Sequence, residues 1–253
     1  MNKNHKLQQQ VEFSLGVTPT LAMGESAVAG EDFAPPNSEP LSSLVPAVRE
    51  EAQKLVQRLF LASNGLAPKA VLFAGVDASI GCDWLSAVTA KVLAGNVSGA
   101  VCLVEGNLRS PSLPRALGVS CDRGLVDSLG ESGSIREFAV QIGSGHLWLL
   151  SSGSPAQDSM TLLNSDRMKE RLSELRREFN YVVMNAPPLN SFADGMILGR
   201  LLDGVVLVLE AHSTRRQTAL QVAESLRTTK IPVLGAVLNN RTFPIPEAVY
   251  KRL

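Results

Sequence analysis

Residues 70–94, AVLFAGVDASIGCDWLSAVTAKVLA, decide the fold that we predict for this chain. The stretch begins with a run of small and apolar residues, 70–74, which predicts a buried strand, and it ends in a helix that begins near Cys82. The residues between them, 75–81, form a loop with a glycine at each end. Strand, loop and helix in this order are typical of a phosphate-binding loop, in which backbone N–H groups and a helix N-terminus hold the phosphates.

The loop lacks the side chains that a working phosphate-binding loop needs. The motif is G-x-x-x-x-G-K-[ST], in which the lysine neutralises the β- and γ-phosphates and the hydroxyl binds Mg²⁺. Gly81 matches the second glycine, but Val76 stands at the first glycine, Cys82 at the lysine and Asp83 at the hydroxyl. From this loop alone, an ordinary turn between a strand and a helix is therefore the favoured interpretation.

Composition indicates an ordinary globular protein without nucleic-acid or membrane-spanning character. The chain has 253 residues, of which 45% are apolar, so one α/β domain with some chain left over is expected. Its 24 basic and 24 acidic residues balance, and the charge gives no reason to expect nucleic acid as a partner. The apolar runs are too short to span a bilayer. Residues 1–10 are polar, without the apolar core of a signal peptide, and Asn2 excludes N-myristoylation.

Cysteine usage favours a reduced, cytoplasmic protein. Cys82, Cys102 and Cys121 show no CxxC spacing and have no histidine pair nearby. This pattern argues against both structural zinc and a framework of disulfides.

Predicted helices and strands alternate from residue 45 onward. Residues 1–44 carry four prolines and no helical or strand period that persists, and we expect a disordered leader there, followed by a single domain over 45–253. The predicted strands are 70–74, 100–104, 146–150, 181–184, 204–209 and 232–238. The predicted helices are 45–62, 82–93, 124–129, 134–140, 166–179, 193–202 and 214–228, and the charges of helix 166–179 are expected to form a solvated face.

Apolar strands that alternate with helices predict an α/β fold, in which a parallel β-sheet is flanked by helices on both faces. Ligands bind to such sheets beyond the carboxyl ends of the strands. The candidate functional segments are therefore 75–83, 105–109, 185–188 and Asn239.

These strand ends, taken in order, resemble the bacterial tyrosine-kinase family of capsule and exopolysaccharide loci, which belongs to the wider MinD/ParA-like P-loop group. The segment VCLVEGNLRSPSLPRALG (101–118) is similar to the family's second Walker segment, a strand that ends in Asp-x-Asp-Leu-Arg-x-Pro. The segment 146–188, which ends in NAPP, is similar to the approach to Walker B and its Asp-x-Pro-Pro. GLVDSLGESGSIREFAV (124–140), DGVVLVLEAHSTRR (203–216) and VLGAVLNN (233–240) fit further family segments. The resemblance covers residues 45–253 and implies a P-loop NTPase-like fold of the MinD/ParA type.

The positions that carry chemistry in that family differ here. By this resemblance Cys82 stands at the Walker A lysine and Asp83 at the Mg²⁺-binding Ser/Thr. Glu105 and Asn107 replace two aspartates of the second segment, and Asn185 replaces the Walker B aspartate. Without the lysine the phosphate charge is uncompensated, Asp83 repels phosphate, and an amide is a poorer Mg²⁺ ligand than a carboxylate. We therefore expect no catalytic residues and no metal site.

Two further family features are incomplete. The family ends in a cluster of autophosphorylated tyrosines, whereas this chain has Tyr181, in a predicted core strand, and Tyr250 in the tail. The family's first helix carries an E-x-x-R-x-x-R pattern used in ring assembly, and the matching residues here are Glu51, Lys54 and Gln57. Lysine cannot make the bidentate contacts of arginine, and glutamine is neutral, so the same ring is not expected, while an oligomer of another kind stays open.

The leading hypothesis is a catalytically silent, kinase-like subunit of exopolysaccharide or capsule synthesis. The resemblance implies as its partner the cytoplasmic part of a polysaccharide co-polymerase membrane protein or an active kinase paralogue, and implies a cytoplasmic location with recruitment to the inner face of the membrane. No cofactor is expected.

Three alternatives remain open. The first is an active tyrosine kinase with a rearranged site, in which Arg109 supplies positive charge and Asp83 holds a metal ion. The second is weak binding of ATP and Mg²⁺ without hydrolysis, through Gly81 and Asn239. The third is a reactive Cys82 thiolate at the helix N-terminus, which the neighbouring Asp83 disfavours.

Overall fold

The computed structural model describes residues 44–61, 67–78, 80–156 and 158–240. The predicted leader, apart from Leu44, lies outside the described residues, as do Ala62, Ser79 and the tail that contains Tyr250. Within the described part, no helix is both long enough and apolar enough to cross a bilayer.

The core of the molecule is a seven-stranded sheet, in the order β3-β4-β2-β5-β1-β6-β7. Every neighbouring pair is parallel except β3 and β4, which are antiparallel. The strands are β1 (Ala70–Gly75), β2 (Val101–Glu105), β3 (Val140–Gln141), β4 (Leu147–Leu150), β5 (Tyr181–Ala186), β6 (Gly204–Glu210) and β7 (Val233–Asn239). Because β1, β2 and β5 are buried along their whole length or nearly so, they read as continuous apolar runs, as strands covered on both faces do.

Helices cover both faces of this sheet, which confirms the predicted α/β fold class. They are α1 (Pro46–Phe60), α2 (Cys82–Asn96), α3 (Leu113–Leu117), α4 (Leu125–Gly130), α5 (Ser159–Asn164), α6 (Asp166–Glu178), α7 (Asp194–Gly199) and α8 (Arg216–Thr228), with a 3₁₀ helix at Ile135–Phe138. The buried residues of α1 and α2 join one apolar cluster with one face of the sheet. Those of α4, α6, α7 and α8 join a second cluster on the other face.

The main error of the predicted secondary structure lies between β2 and β4. The predicted helix 134–140 is only a short 3₁₀ turn, and it leads into the two-residue strand β3. Both residues of β3 are exposed, so no alternation of apolar and polar residues could reveal it. The short helices α3 and α5 were also missed, because neither is long enough to show a helical period.

The predicted solvated face of α6 is wrong at Arg171, which is 2% exposed. Its guanidinium donates to the carbonyl oxygens of Ser128 at 2.8 Å, Glu131 at 2.8 Å and Gly133 at 2.7 Å, and to Glu174 Oε2 at 2.7 Å. A buried cation is tolerated when its donors are satisfied in this way. Arg171 therefore fastens the segment after α4 to α6.

Candidate functional site at the carboxyl ends of the strands

The predicted strand–loop–helix arrangement is present at the end of β1. Gly81 precedes α2 with φ 69° and ψ 29°, in the left-handed region that glycine adopts most readily. Its carbonyl accepts the Leu85 amide at 3.0 Å and so starts the helix. The second glycine of the motif thus has a clear conformational role, whether or not the loop holds phosphate.

Side chains from the end of β7 and from the loop after β5 fix this loop. Asn239, at the end of β7, is buried, and its Nδ2 donates to the Ile80 carbonyl at 2.9 Å. Asn190, in the loop after β5, donates from Nδ2 to Asp77 Oδ1 at 2.7 Å. Ile80 itself is buried, and its side chain lies where a Cβ on Gly75 would meet it at 2.8 Å. Asn239, which one alternative assigned to weak nucleotide binding, therefore uses its amide to hold the loop.

Cys82 and Asp83 form the first turn of α2, and both are half-buried. Asp83 Oδ1 accepts the backbone amide of Trp84 at 2.8 Å, so the carboxylate takes up one of the free N–H groups of the helix N-terminus. Burial, with the Asp83 charge as the second cause, raises the pKa of the Cys82 thiol above its ordinary value. The environment of Cys82 therefore opposes a reactive thiolate.

We expect Cys82 to be alkylated slowly. Because the thiolate is the reactive species, a raised pKa should make its reaction with iodoacetamide at neutral pH at least about tenfold slower than that of free cysteine. Mass spectrometry of the peptide that contains Cys82, sampled over time in the folded protein, gives this rate. A denatured sample of the same protein is the control. A folded rate equal to that of free cysteine would restore the reactive-thiolate alternative.

Glu105 is fully buried at the end of β2, and protein donors surround its carboxylate. Oε1 accepts the Asn107 amide at 3.2 Å and Asn185 Nδ2 at 3.0 Å. Oε2 accepts the amides of Ser112 at 2.8 Å and Leu113 at 2.9 Å, which begin α3. Burial raises the pKa of Glu105, and these four hydrogen bonds partly offset that rise. The carboxylate is thus committed to holding the backbone after β2.

Asn185 lies beside Glu105 because the two residues are register partners on β5 and β2. It is 2% exposed, and while its Nδ2 donates to Glu105, its Oδ1 has no hydrogen-bond partner among the described residues. The two positions that the resemblance links to Mg²⁺ and catalysis are therefore joined to each other directly. The described residues contain no group of three His, Cys, Asp or Glu side chains placed to hold a metal ion.

Arg109 has a carboxylate partner that the sequence did not reveal. Its Nε and Nη2 donate to Asp194 at 2.9 Å and 3.0 Å, and Asp194 is fully buried at the start of α7. The guanidinium also lies 4.7 Å from the ring centre of the exposed Phe192. Asn107 is only half-buried, and its Oδ1 accepts the Ser110 amide at 3.2 Å. An acidic residue at the start of a helix beyond β5 was the one available signal for Asp194.

The remaining residues that the sequence analysis singled out lie away from the carboxyl ends of the strands. Tyr181 packs edge-on against Phe60, with ring centres 6.0 Å apart, which confirms its place in the core. Glu51 and Lys54 pair with each other along α1 at 2.8 Å, and Gln57 is exposed. Glu51 and Lys54, which the resemblance connected with ring assembly, are therefore paired with each other within the helix.

The chain is similar to bacterial tyrosine-protein kinases. It is 32% identical over 141 residues to tyrosine-protein kinase YwqD of Bacillus subtilis, which covers 56% of this chain and 60% of that protein. It is 26% identical over 143 residues to the putative tyrosine-protein kinase CapB of Staphylococcus aureus, which covers 54% of this chain and 60% of the relative. The chain thus spans about three fifths of the length of these relatives. No protein-family model matches it.

Solved structures show the same fold. The kinase domain of the Escherichia coli tyrosine kinase ETK superposes with a TM-score of 0.79 at 18% identity, over 97% of both chains. A ParA family ATPase from Chlorobium tepidum superposes with a TM-score of 0.60 at 15% identity, over 72% of this chain and 77% of that one. The chain therefore resembles the bacterial tyrosine-protein kinases in sequence, and it has the P-loop NTPase fold that their kinase domains share with ParA-type ATPases.

Proposed function

We propose that the chain is a catalytically silent relative of the bacterial tyrosine kinases, which acts by binding a protein partner in exopolysaccharide or capsule synthesis. The observation that carries the proposal is that the Glu105 carboxylate is saturated with hydrogen bonds from the protein. Each of its two carboxylate oxygens already accepts two hydrogen bonds from the protein. A carboxylate oxygen has about two lone pairs to offer, so a Mg²⁺ ion would have to displace these donors.

The charge of the loop supports the same proposal. Residues 75–83 contain Asp77 and Asp83 and no lysine or arginine. Catalysis of phosphoryl transfer is largely electrostatic, and it depends on positive charge next to the phosphates. Arg109, which the active-kinase alternative invokes, is already paired with the buried Asp194, so its charge is largely compensated. An active kinase with a rearranged site is therefore the weaker candidate.

The partner and the location rest on the resemblance. We propose that the chain binds the cytoplasmic part of a polysaccharide co-polymerase membrane protein or an active kinase paralogue. In this proposal the chain is cytoplasmic and is recruited to the inner face of the membrane by that partner. Neither nucleic acid nor a resident cofactor is part of the proposal.

Nucleotide binding without hydrolysis is the second candidate, and the conformation of Gly81 favours it. The loop still delivers the chain into the N-terminus of a 15-residue helix, whose free N–H groups attract anions. Asp83 already accepts one of those N–H groups and repels phosphate. We therefore expect ATP with Mg²⁺ to bind weakly if at all.

Calorimetry with Mg-ATP and with ADP separates the two candidates. We expect no saturable binding by the natural chain, with any Kd weaker than about 1 mM, and at least about tenfold tighter binding by the double variant Cys82→Lys, Asp83→Ser. The chain offers a matched control, because Cys121 and Asp122 are also adjacent and lie outside the loop. The variant Cys121→Lys, Asp122→Ser changes the net charge equally and should bind no better than the natural chain.

Two results would contradict the proposal of a silent site. Micromolar binding of Mg-ATP by the natural chain would favour the nucleotide-binding candidate. Transfer of phosphate to tyrosine, in this chain or in a partner, that requires Mg-ATP would restore the active kinase.

A further inference from the structure

Among the described residues, the strand β7 lies at one edge of the sheet. It pairs with β6 alone among the described strands. The carbonyl of Asn239 accepts the Ala211 amide at 2.9 Å, so the backbone groups of Asn239 face β6. Backbone groups alternate in direction along a strand, and those of Leu238 and Ala236 therefore face outward. A seven-residue edge with such free groups is a template for pairing with another strand.

A groove runs between this edge and α1. It is lined by Leu55, Arg58 and Leu59 of α1 and by residues 234–237 of β7, and it continues to the underlying Val206. Gly235 contributes no side chain to it, and Leu61, just beyond α1, is 38% exposed. A strand added to β7 would place one row of its side chains against this apolar groove.

One segment outside the described residues has the matching pattern. No helical or strand period persists through residues 1–44, but in the short stretch 11–18, VEFSLGVT, apolar residues occupy every second position, and they are Val11, Phe13, Leu15 and Val17. Strict alternation of this kind is typical of a strand that is buried on one side. We propose that residues 11–17 of the same chain add to β7 as an eighth strand, with these four side chains facing α1.

Chain length and charge support this occupant. The 26 residues from 18 to 43 can span up to roughly 85 Å when extended, which exceeds the width of about 29 Å that seven strands occupy. The groove carries the exposed Arg58, which has no ion pair among the described residues, and no acidic residue lines it. Residues 1–43 have an acidic excess, with two lysines against five acidic residues, Glu12, Glu25, Glu31, Asp32 and Glu39. Opposite charges therefore favour the pairing.

The tail after Asn240 fits the edge less well. Residues 241–253 carry Arg241, Lys251 and Arg252 against the single acidic Glu247, so their charge has the same sign as that of the groove. They also contain Pro244 and Pro246, which have no N–H to donate to a strand partner.

Amide hydrogen exchange in the full chain, followed by NMR, tests the proposal. The outward-facing amides of Ala236 and Leu238 should be protected in the natural protein. The variant Phe13→Asp should make their exchange at least about tenfold faster, because it places a charge against the apolar groove. The amides of Val237 and Asn239 face β6, and their unchanged protection shows that the sheet is still folded. The variant Phe33→Asp, in the same leader but outside the alternating stretch, should leave all four amides unchanged.

Several results would overturn the proposal. One is full exposure of Ala236 and Leu238 in the natural protein, and another is an equal effect of Phe33→Asp. Loss of protection on Phe243→Asp with none on Phe13→Asp would assign the edge to the tail. Protection found only in a dimeric fraction would assign it to the leader of a second copy.

Discussion

Replacing Arg171 by alanine should lower the free energy of unfolding by about 3–4 kcal/mol, the largest effect that we expect from a single substitution. The guanidinium satisfies three carbonyl oxygens and the Glu174 carboxylate while being almost wholly buried. Alanine leaves those acceptors without a donor, in a space that also becomes partly empty. Arg171→Lys should recover only part of the loss, since lysine offers one charged nitrogen in place of a planar group with five N–H donors.

Urea denaturation of the two variants and the natural protein measures this effect. The matched control is Lys169→Ala on the same helix, because Lys169 pairs with Asp166 at side-chain exposures of 54% and 91%. An exposed pair of this kind should change the free energy of unfolding by no more than about 0.5 kcal/mol. If Arg171→Ala lowered the free energy of unfolding by no more than Lys169→Ala does, the hydrogen bonds of the buried Arg171 would contribute little to stability.

The second large effect is expected at Glu105, where alanine should lower the free energy of unfolding by about 2–4 kcal/mol. The substitution removes the acceptor for three backbone amides and for Asn185, all close to the start of α3. Buried donors without partners are costly, and the turn between β2 and α3 should loosen. Glu50→Ala is the control, since the Glu50 side chain is 69% exposed.

The Glu105 effect should depend on pH in a defined direction. Burial raises the pKa of Glu105 in the folded state above the ordinary value of 4.5. At a pH between the pKa of Glu105 in the unfolded chain and its raised pKa in the folded protein, the folded protein binds more protons than the unfolded chain. The stability that this residue contributes therefore falls as the pH rises through that interval. The difference between the natural protein and Glu105→Ala should therefore be larger near about pH 5 than near about pH 8. A difference that grows with pH would show that the hydrogen bonds outweigh burial.

Strong and repeated patterns in the sequence predicted most of the fold. The apolar strands, the helical spacing in α1 and the loop before α2 each have a local cause in the order of residue types. The prediction of short elements failed, because β3, α3 and α5 are stabilised by contacts with distant segments. The start of α3, for example, is held by Glu105, eight residues before Leu113.

The residue types at the strand ends can be read directly from the sequence: a cysteine and an aspartate after Gly81, a glutamate at the end of β2 and an asparagine at the end of β5. The hydrogen-bond partners of these side chains, in contrast, follow from the tertiary structure. Glu105 and Asn185 are 80 positions apart, and the register of β2 against β5 brings them into hydrogen-bond contact. Asn239 reaches Ile80 across 159 positions, and Arg171 finds its carbonyl partners about 40 residues earlier in the chain. Side-chain partnership depends on which strands become neighbours, and that outcome belongs to the packing of the whole sheet.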